Sequence, residues 1–215
     1  MTDTSTADAL VDARAGDDLA PLAGTWQVDP THSALEFVAR YAVFTLVRGR
    51  FTSFTGTVVL DPLHLDATRI DVVVDASSVD TAMPVRDAHL RRDEFLDVER
   101  HPTIRFRASG AAVFAAGRYT VNGDLTVRGI TQPVRLHVEL FGCAEDVLGN
   151  ARLGLRATTK VRRAVWGITW NAPVRGGRVA LAEDVDVELD VSLVPDGTGA
   201  SRDDPIQERR TTWGS

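Results

Sequence analysis

Apolar and polar residues alternate with a period of two along most of this chain, which is the pattern of half-buried β-strands. An interruption at Thr52-Ser53 predicts a β-bulge, and Asp61-Pro62 ends the next run because proline has no N–H to donate to a sheet. About eight or nine strands with short turns favour an antiparallel sandwich or an up-and-down barrel over a parallel sheet. The alternating runs lie at residues 33–40, 47–51, 54–60, 70–76, 104–108, 121–127, 134–140, 153–157 and 185–193.

One segment departs from this pattern and is rich in helix-forming residues. Residues 86–97 predict a helix of about twelve residues with a narrow apolar stripe. Asp80 or Thr81 can cap its start, and Pro84 suits a first turn. Such a helix needs a surface to lie on, and on a barrel that surface is an open mouth. We therefore expect a covered barrel whose inward side chains form the functional site.

Composition narrows the function classes. The chain has 215 residues, of which 44% are hydrophobic and 25% charged, as in an ordinary soluble domain. Its net charge of −6 argues against a general nucleic-acid binder, which would carry a basic face. Cys143 is the single cysteine, so an intramolecular disulfide is excluded.

Both ends of the sequence read as appendages to one domain. Residues 1–23 are acidic and lack the basic start and apolar run of a secretory signal, so we expect a cytoplasmic protein. No segment approaches the roughly 20 apolar residues of a membrane-spanning helix. Residues 195–215 lose the apolar alternation and are rich in Gly and Asp. We predict a disordered or loosely helical tail at 1–23, a barrel at 24–194 and a disordered tail at 195–215.

Four separated motifs between residues 24 and 194 carry a family resemblance. They are WQVDPTHSALEF from Trp26, VRGRF with FTG from Val47, RDAHL through DEFLD to HPTIRF from Arg86, and GDLTVRGIT from Gly123. Together they resemble the YceI-like, polyisoprenoid-binding family. One departure is Tyr41, where the family often has histidine.

The resemblance implies a mainly β fold, an antiparallel eight-stranded lipocalin-like barrel with a helical insert covering one end. It also implies a tunnel for an isoprenoid or other long-chain lipid, a homodimer, and no metal or other cofactor. The candidate tunnel residues are Phe37, Phe51, Phe54, Val72, Val74, Leu90, Phe95, Ile104, Phe106, Leu125, Val127, Leu155, Trp166 and Trp170. The alternative for each is a plain core residue in a filled barrel. Small inward residues such as Gly49 and Gly123 favour an open lumen.

A polar group from two of the motifs has two interpretations. His32, Ser33, Arg86, Asp87 and His89 either meet at a mouth to hold a polar head, such as a diphosphate or a quinone, or act as structural supports. Arginine binds anions well through paired N–H donors. We prefer the structural interpretation, with Asp87 near the helix N-terminus and the histidines bridging loop and lid.

Two other function classes have some support in the sequence. Ser33 beside His32 suggests a hydrolase, but adjacent residues on a strand point to opposite faces, and no catalytic motif accompanies them. The acidic residues of 183–190 could bind a basic protein partner, although a solvated strand face explains them as well. The sequence therefore favours non-enzymatic binding, storage or transport of a polyisoprenoid or similar lipid, such as an isoprenoid quinone or polyprenyl diphosphate.

Overall fold

The computed structural model describes residues 22–42, 44–115, 117–147, 149–174 and 178–197. The tails predicted at 1–23 and 195–215 thus fall largely outside the described residues. The elements in chain order are β1 (Gly24–Val28), β2 (Ala34–Tyr41), β3 (Thr45–Phe51), β4 (Phe54–Leu60), β5 (Arg69–Asp75), β6 (Val79–Asp80), α1 (Pro84–Leu90), β7 (Thr103–Ala115), β8 (Arg118–Val127), β9 (Ile130–Glu145), β10 (Ala151–Arg162), β11 (Pro173–Val174), β12 (Arg178–Val179) and β13 (Leu181–Pro195).

Eight long antiparallel strands form a closed barrel, which confirms the predicted fold class. Three of them are interrupted, so that β1 with β2, β3 with β4, and β5 with β6 each act as one strand. When each interrupted pair is counted as one strand, each of the eight strands pairs with the next along the chain, up to β13. The ring closes because β13 pairs with both β1 and β2, through Leu193 opposite Val28 and Asp190 opposite Ala34.

The three interruptions lie in the chain segments 29–33, 52–53 and 76–78, and bonds across neighbouring strands hold the last two together. The Thr52 N–H donates to Ser78 O at 3.2 Å, and the Asp75 N–H donates to Ser53 O at 2.9 Å. The bulge predicted at Thr52-Ser53 is therefore a break between two strands, not an extra residue within one. The neighbouring strand is interrupted at the same level, and these hydrogen bonds join the two interruptions.

The two ends of the barrel are built differently. At one, which we call the far end, Leu22, Trp26, Leu153 and Leu193 form a buried cluster. Trp26 Nε1 donates to Leu22 O at 2.9 Å, so the packed core begins before the predicted boundary at residue 24. At the other, the lid end, the insert 81–102 and the segment 163–174 cover the strand ends.

The helix in the insert is shorter than predicted. It covers Pro84–Leu90, with Pro84 in its first turn as expected, and turns replace the helix predicted to continue to Asp97. The reason is tertiary: the Arg91 guanidinium donates to Ser77 O and Val79 O at 2.6 and 2.7 Å, which ties the chain to the barrel wall. Asp97 has a positive φ of 53°, which a continuing helix does not allow.

The N-cap also differs from the prediction. Met83 occupies the cap position and makes no side-chain cap bond. Thr81 instead donates its N–H and its hydroxyl to Asp87 Oδ1, at 2.9 and 2.5 Å. Within the described residues, no helix is both long and apolar enough to cross a membrane.

Candidate functional site

A cavity of about 540 Å³ runs inside the barrel and is lined from every strand of its wall. Leu153 and Leu193 line it at the far end, and Arg86, His89 and Trp170 line it at the lid end. Its volume lies within the roughly 300–1,000 Å³ of small-molecule sites. The interior is therefore a hollow apolar space and not a packed core.

All fourteen candidate tunnel residues line this cavity. The side chains that sequence reasoning omitted come from all around the wall, and β9 and β13 contributed no candidate although their inward faces follow the same period-two alternation. That alternation was sufficient to find them. The omitted residues on these two strands are Val134, Leu136, Val138, Leu140, Leu181, Val185, Val187, Leu189, Val191 and Leu193.

The inward glycines serve a different purpose from the one expected. A Cβ atom at Gly49 would lie 2.3 Å from Cζ of Phe37, and one at Gly123 would lie 2.6 Å from the ring of Phe106. Each glycine thus accommodates an aromatic ring against the barrel wall, as aromatic side chains do over glycines in β-sheets. The glycines do not add free volume themselves. They let these two rings lie close to the wall, where both rings line the lumen.

Two of the five polar candidates, Arg86 and His89, line the cavity from α1. Arg86 Nε donates to Thr81 Oγ1, and its Nη2 donates to Thr81 O, both at 2.7 Å. Asp87 is buried behind them and accepts from Thr81. Arg86 therefore lines the lid end of the cavity while it is bonded to Thr81, and Asp87 holds the start of the insert.

His89 joins the two parts of the lid. Its ring packs edge-on against Phe95 and Trp170, with centroids 4.9 and 5.0 Å away, and its Nε2 lies 2.8 Å from Glu94 Oε2. Arg128 adds a second connection, since its Nη1 donates to Phe95 O and Gly167 O at 2.9 and 3.3 Å. The insert and the segment 163–174 therefore form one cover.

Arg163 was not predicted as a site residue, yet it lines the cavity and is only 7% exposed. Its guanidinium donates to the carbonyl oxygens of Ile168 and Trp170 at 2.8 Å and of Ala182 at 2.9 Å. Burial lowers the pKa of this group, and Glu183 opposes the shift. Nothing in a single sequence distinguishes such an arginine from an exposed one.

His32 and Ser33 lie elsewhere, so the five polar candidates do not meet. His32 Nδ1 is 2.8 Å from Asp29 Oδ2, which also accepts from Arg152, and Ser33 Oγ accepts from the Ser192 N–H at 3.0 Å. Burial raises the pKa of Asp29, but the bonds from Arg152 and His32 outweigh it and leave the pKa below its usual value. These residues support the interruption between β1 and β2 and do not line the cavity.

Two hydroxyl groups line the cavity towards the far end. Thr68 is 3% exposed, and among the described side chains its Oγ1 is the buried polar atom that lacks a hydrogen-bond partner. Tyr119 lines the same space, and burial raises the pKa of its phenol. No charged side chain accompanies them in the lining there.

The acidic strand face is paired with basic residues of the neighbouring strand. Arg156 Nε bonds to Asp190 at 2.7 Å, and Lys160 Nζ lies 3.2 Å from Asp186. Both pairs run along the outside of β10 and β13, away from the cavity. This face is therefore a solvated ladder of exposed ion pairs, each of which contributes little to stability.

Comparison with known proteins agrees with this geometry. The family model of the YceI-like domain matches residues 26–193. The chain belongs to the YceI-like family. A UPF0312 protein of Vibrio vulnificus is 31% identical over 160 residues, covering 74% of this chain and 80% of the relative.

Solved structures of low sequence identity share the fold. BcnA of Burkholderia cenocepacia superposes with a TM-score of 0.67 at 19% identity, covering 77% of this chain and 98% of BcnA. A polyisoprenoid binding domain from Saccharophagus degradans superposes with a TM-score of 0.58 at 17% identity, covering 79% of this chain and 98% of that domain. The barrel fold of these two structures is thus also the fold of this chain.

Proposed function

We propose that this protein binds a polyisoprenoid or similar long-chain lipid in its barrel and stores or carries it without chemical turnover. The single observation that carries the proposal is the continuous apolar cavity of about 540 Å³, to which every strand of the wall contributes. An isoprenoid quinone and a polyprenyl diphosphate are the two ligand types proposed. A lipid is the only bound group that the proposal requires.

Burial of the chain supplies enough free energy for this role. Each methylene removed from water contributes about 0.8 kcal/mol, so about fifteen buried carbons contribute on the order of 12 kcal/mol before entropy losses. Tight binding therefore needs no enzyme-like array of polar contacts. Selectivity would come from the width of the lumen, which Phe37 and Phe106 set by lying against glycines.

Two adjacent valines of β4 provide a matched test. Val58 lines the cavity, whereas Val59 is on the outer face and 42% exposed. Val58→Glu places a carboxylate in the lumen, where an unpaired charge is costly. Val59→Glu introduces the same carboxylate on the outer face, where it is in contact with water.

The measurement is native mass spectrometry of each purified protein, followed by extraction and identification of what it holds. We expect the wild type and Val59→Glu to retain a lipid and Val58→Glu to lose it. Circular dichroism establishes that Val58→Glu folds, and if it does not, Val58→Trp fills the lumen without a charge. A wild type that takes up no farnesyl or quinone ligand after delipidation contradicts the proposal.

The cytoplasm and a homodimer are the proposed location and assembly. Light scattering after size-exclusion chromatography measures the assembly directly. A single species near the chain mass of 23.3 kDa would contradict the dimer and leave the lipid-binding proposal intact.

A further inference from the structure

The lid end of the cavity carries positive charge that the far end lacks. Arg86 and Arg163 are the two basic side chains that line the cavity among the described residues. Glu36 is the one acidic residue in the lining; it is exposed and, between the inward Leu35 and Phe37, points out of the barrel. The charged groups beside the lumen at the lid end are therefore two guanidiniums.

A short chain of contacts places the two arginines at the same end. Arg163 Nη1 donates to Trp170 O at 2.8 Å, and the Trp170 ring contacts the ring of His89, 5.0 Å away between centroids. His89 lies three residues after Arg86 on α1, which puts both on one face of the helix. We call Arg86 and Arg163 together the cationic subsite.

Neither guanidinium forms an ion pair with a carboxylate within the part of the chain that the structure describes. The nearby acidic groups have other partners: Asp87 accepts from Thr81, Glu94 pairs with His89, and Glu183 lies 3.7 Å from Arg162. The bonds of Arg86 to Thr81 use Nε and Nη2 and leave Nη1 with no hydrogen-bond partner among the described residues.

A cation beside an apolar lumen costs free energy unless a counter-ion offsets it. A ligand anion supplies that counter-ion and accepts charge-assisted hydrogen bonds, which are stronger than neutral ones. We propose that the cationic subsite binds an anionic head group on the lipid, with the chain extending towards the far end. This inference rests on the proposed lipid binding and selects a phosphorylated isoprenoid over a neutral quinone or alcohol.

The test compares two ligands that share one chain. Farnesyl phosphate and farnesol both carry fifteen carbons and differ in the phosphate, so their affinities for the delipidated full-length protein isolate the head group. Titration calorimetry at low and high salt, below the concentration at which either probe forms micelles, measures both. We expect farnesyl phosphate to bind about tenfold more tightly, with salt narrowing the difference.

Variants assign the effect to the subsite. Arg86→Gln removes the charge and keeps a donor, and should weaken farnesyl phosphate about tenfold while leaving farnesol unchanged. Arg86→Lys should retain part of the preference. Arg92→Gln, at an exposed arginine of the same insert outside the cavity, is the matched control and should change neither affinity. At Arg163 the substitution is to Lys, because loss of the whole side chain would leave several carbonyl oxygens without a donor. Arg163→Lys should reduce the preference for farnesyl phosphate over farnesol.

Each outcome bears on one claim. Equal affinities for the two ligands in the wild type, or an Arg86→Gln variant that weakens both equally, would overturn the cationic subsite and leave lipid binding standing. Failure of both probes to bind would overturn the proposed function and the subsite with it. Loss of the phosphate preference in Arg92→Gln would show that surface charge, and not the subsite, attracts the anion.

Discussion

The lid end and the far end of the barrel close the same cavity by different means. The far end is closed by apolar packing, with Leu193 1% and Leu153 2% exposed beside Trp26 and Leu22. The lid end is closed by two separate chain segments that meet through His89, Trp170 and hydrogen bonds to carbonyl oxygens. A cover made of two chain segments can separate locally, because local opening needs less free energy than global unfolding. The lid end is thus the expected route for a ligand.

The largest effect on stability should come from the far end. Leu193→Ala removes a nearly fully buried side chain and should lower the free energy of unfolding by about 3 kcal/mol. The preference for farnesyl phosphate over farnesol should change little, because the cationic subsite lies at the other end. Urea denaturation and titration calorimetry measure the two quantities, with Val59→Ala on the outer face as control. An unchanged free energy of unfolding would mean that packing at the far end does not stabilise the barrel.

A substitution near the lid should instead act on the lumen. Gly49→Ala places a Cβ 2.3 Å from Phe37 and 2.8 Å from Cγ2 of Thr81, so the ring must move into the cavity. We expect about a tenfold loss of farnesyl phosphate affinity together with a stability loss of about 2 kcal/mol from overpacking.

The matched control for Gly49→Ala is Gly154→Ala on β10. A Cβ there would meet only Phe141, at an ordinary 3.8 Å. Titration calorimetry measures the affinity of both variants for farnesyl phosphate. Equal ligand affinity in Gly49→Ala and the wild type would show that the Phe37 ring does not set the width of the lumen.

The smallest effect should come from the polar position towards the far end. Thr68 Oγ1 is buried without a partner, so Thr68→Val removes an unsatisfied hydroxyl and keeps the shape of the side chain. We expect the free energy of unfolding to rise by about 1 kcal/mol. Thermal and urea unfolding of the ligand-free protein measure it, and Thr55→Val on the exposed face is the control. A fall in stability would mean that the hydroxyl has a partner in solution.

The sequence predicted the wall of the barrel far better than its ends. Alternation is a local property, so Phe37, Val72 and Leu125 could be placed on the inner face without knowledge of their neighbours. The interruptions at 29–33 and 76–78 could not, because they depend on bonds between distant strands such as that from Thr52 to Ser78. The length of α1 was overestimated for the same reason, since Arg91 bonds to carbonyls of another element.

The candidate site also contains residues that local patterns predict and residues that depend on distant parts of the chain. Its apolar residues follow from period two, but Arg163 was missed because sequence alone places arginines at the surface. One interpretation brought His32 and Ser33 to a mouth, and the preferred one placed His32 between loop and lid; in the structure both residues support the interruption between β1 and β2. The role of Gly49 required the pairing register, which sets Phe37 opposite it.

The most direct test of the account is an experimental structure of the protein loaded with farnesyl phosphate. We predict a single chain lying along the lumen past Leu125 and Phe106, with its phosphate beside Arg86 and Arg163. A lumen filled by side chains, or a ligand bound only on the outer surface, would contradict the central claim that this barrel is a lipid container.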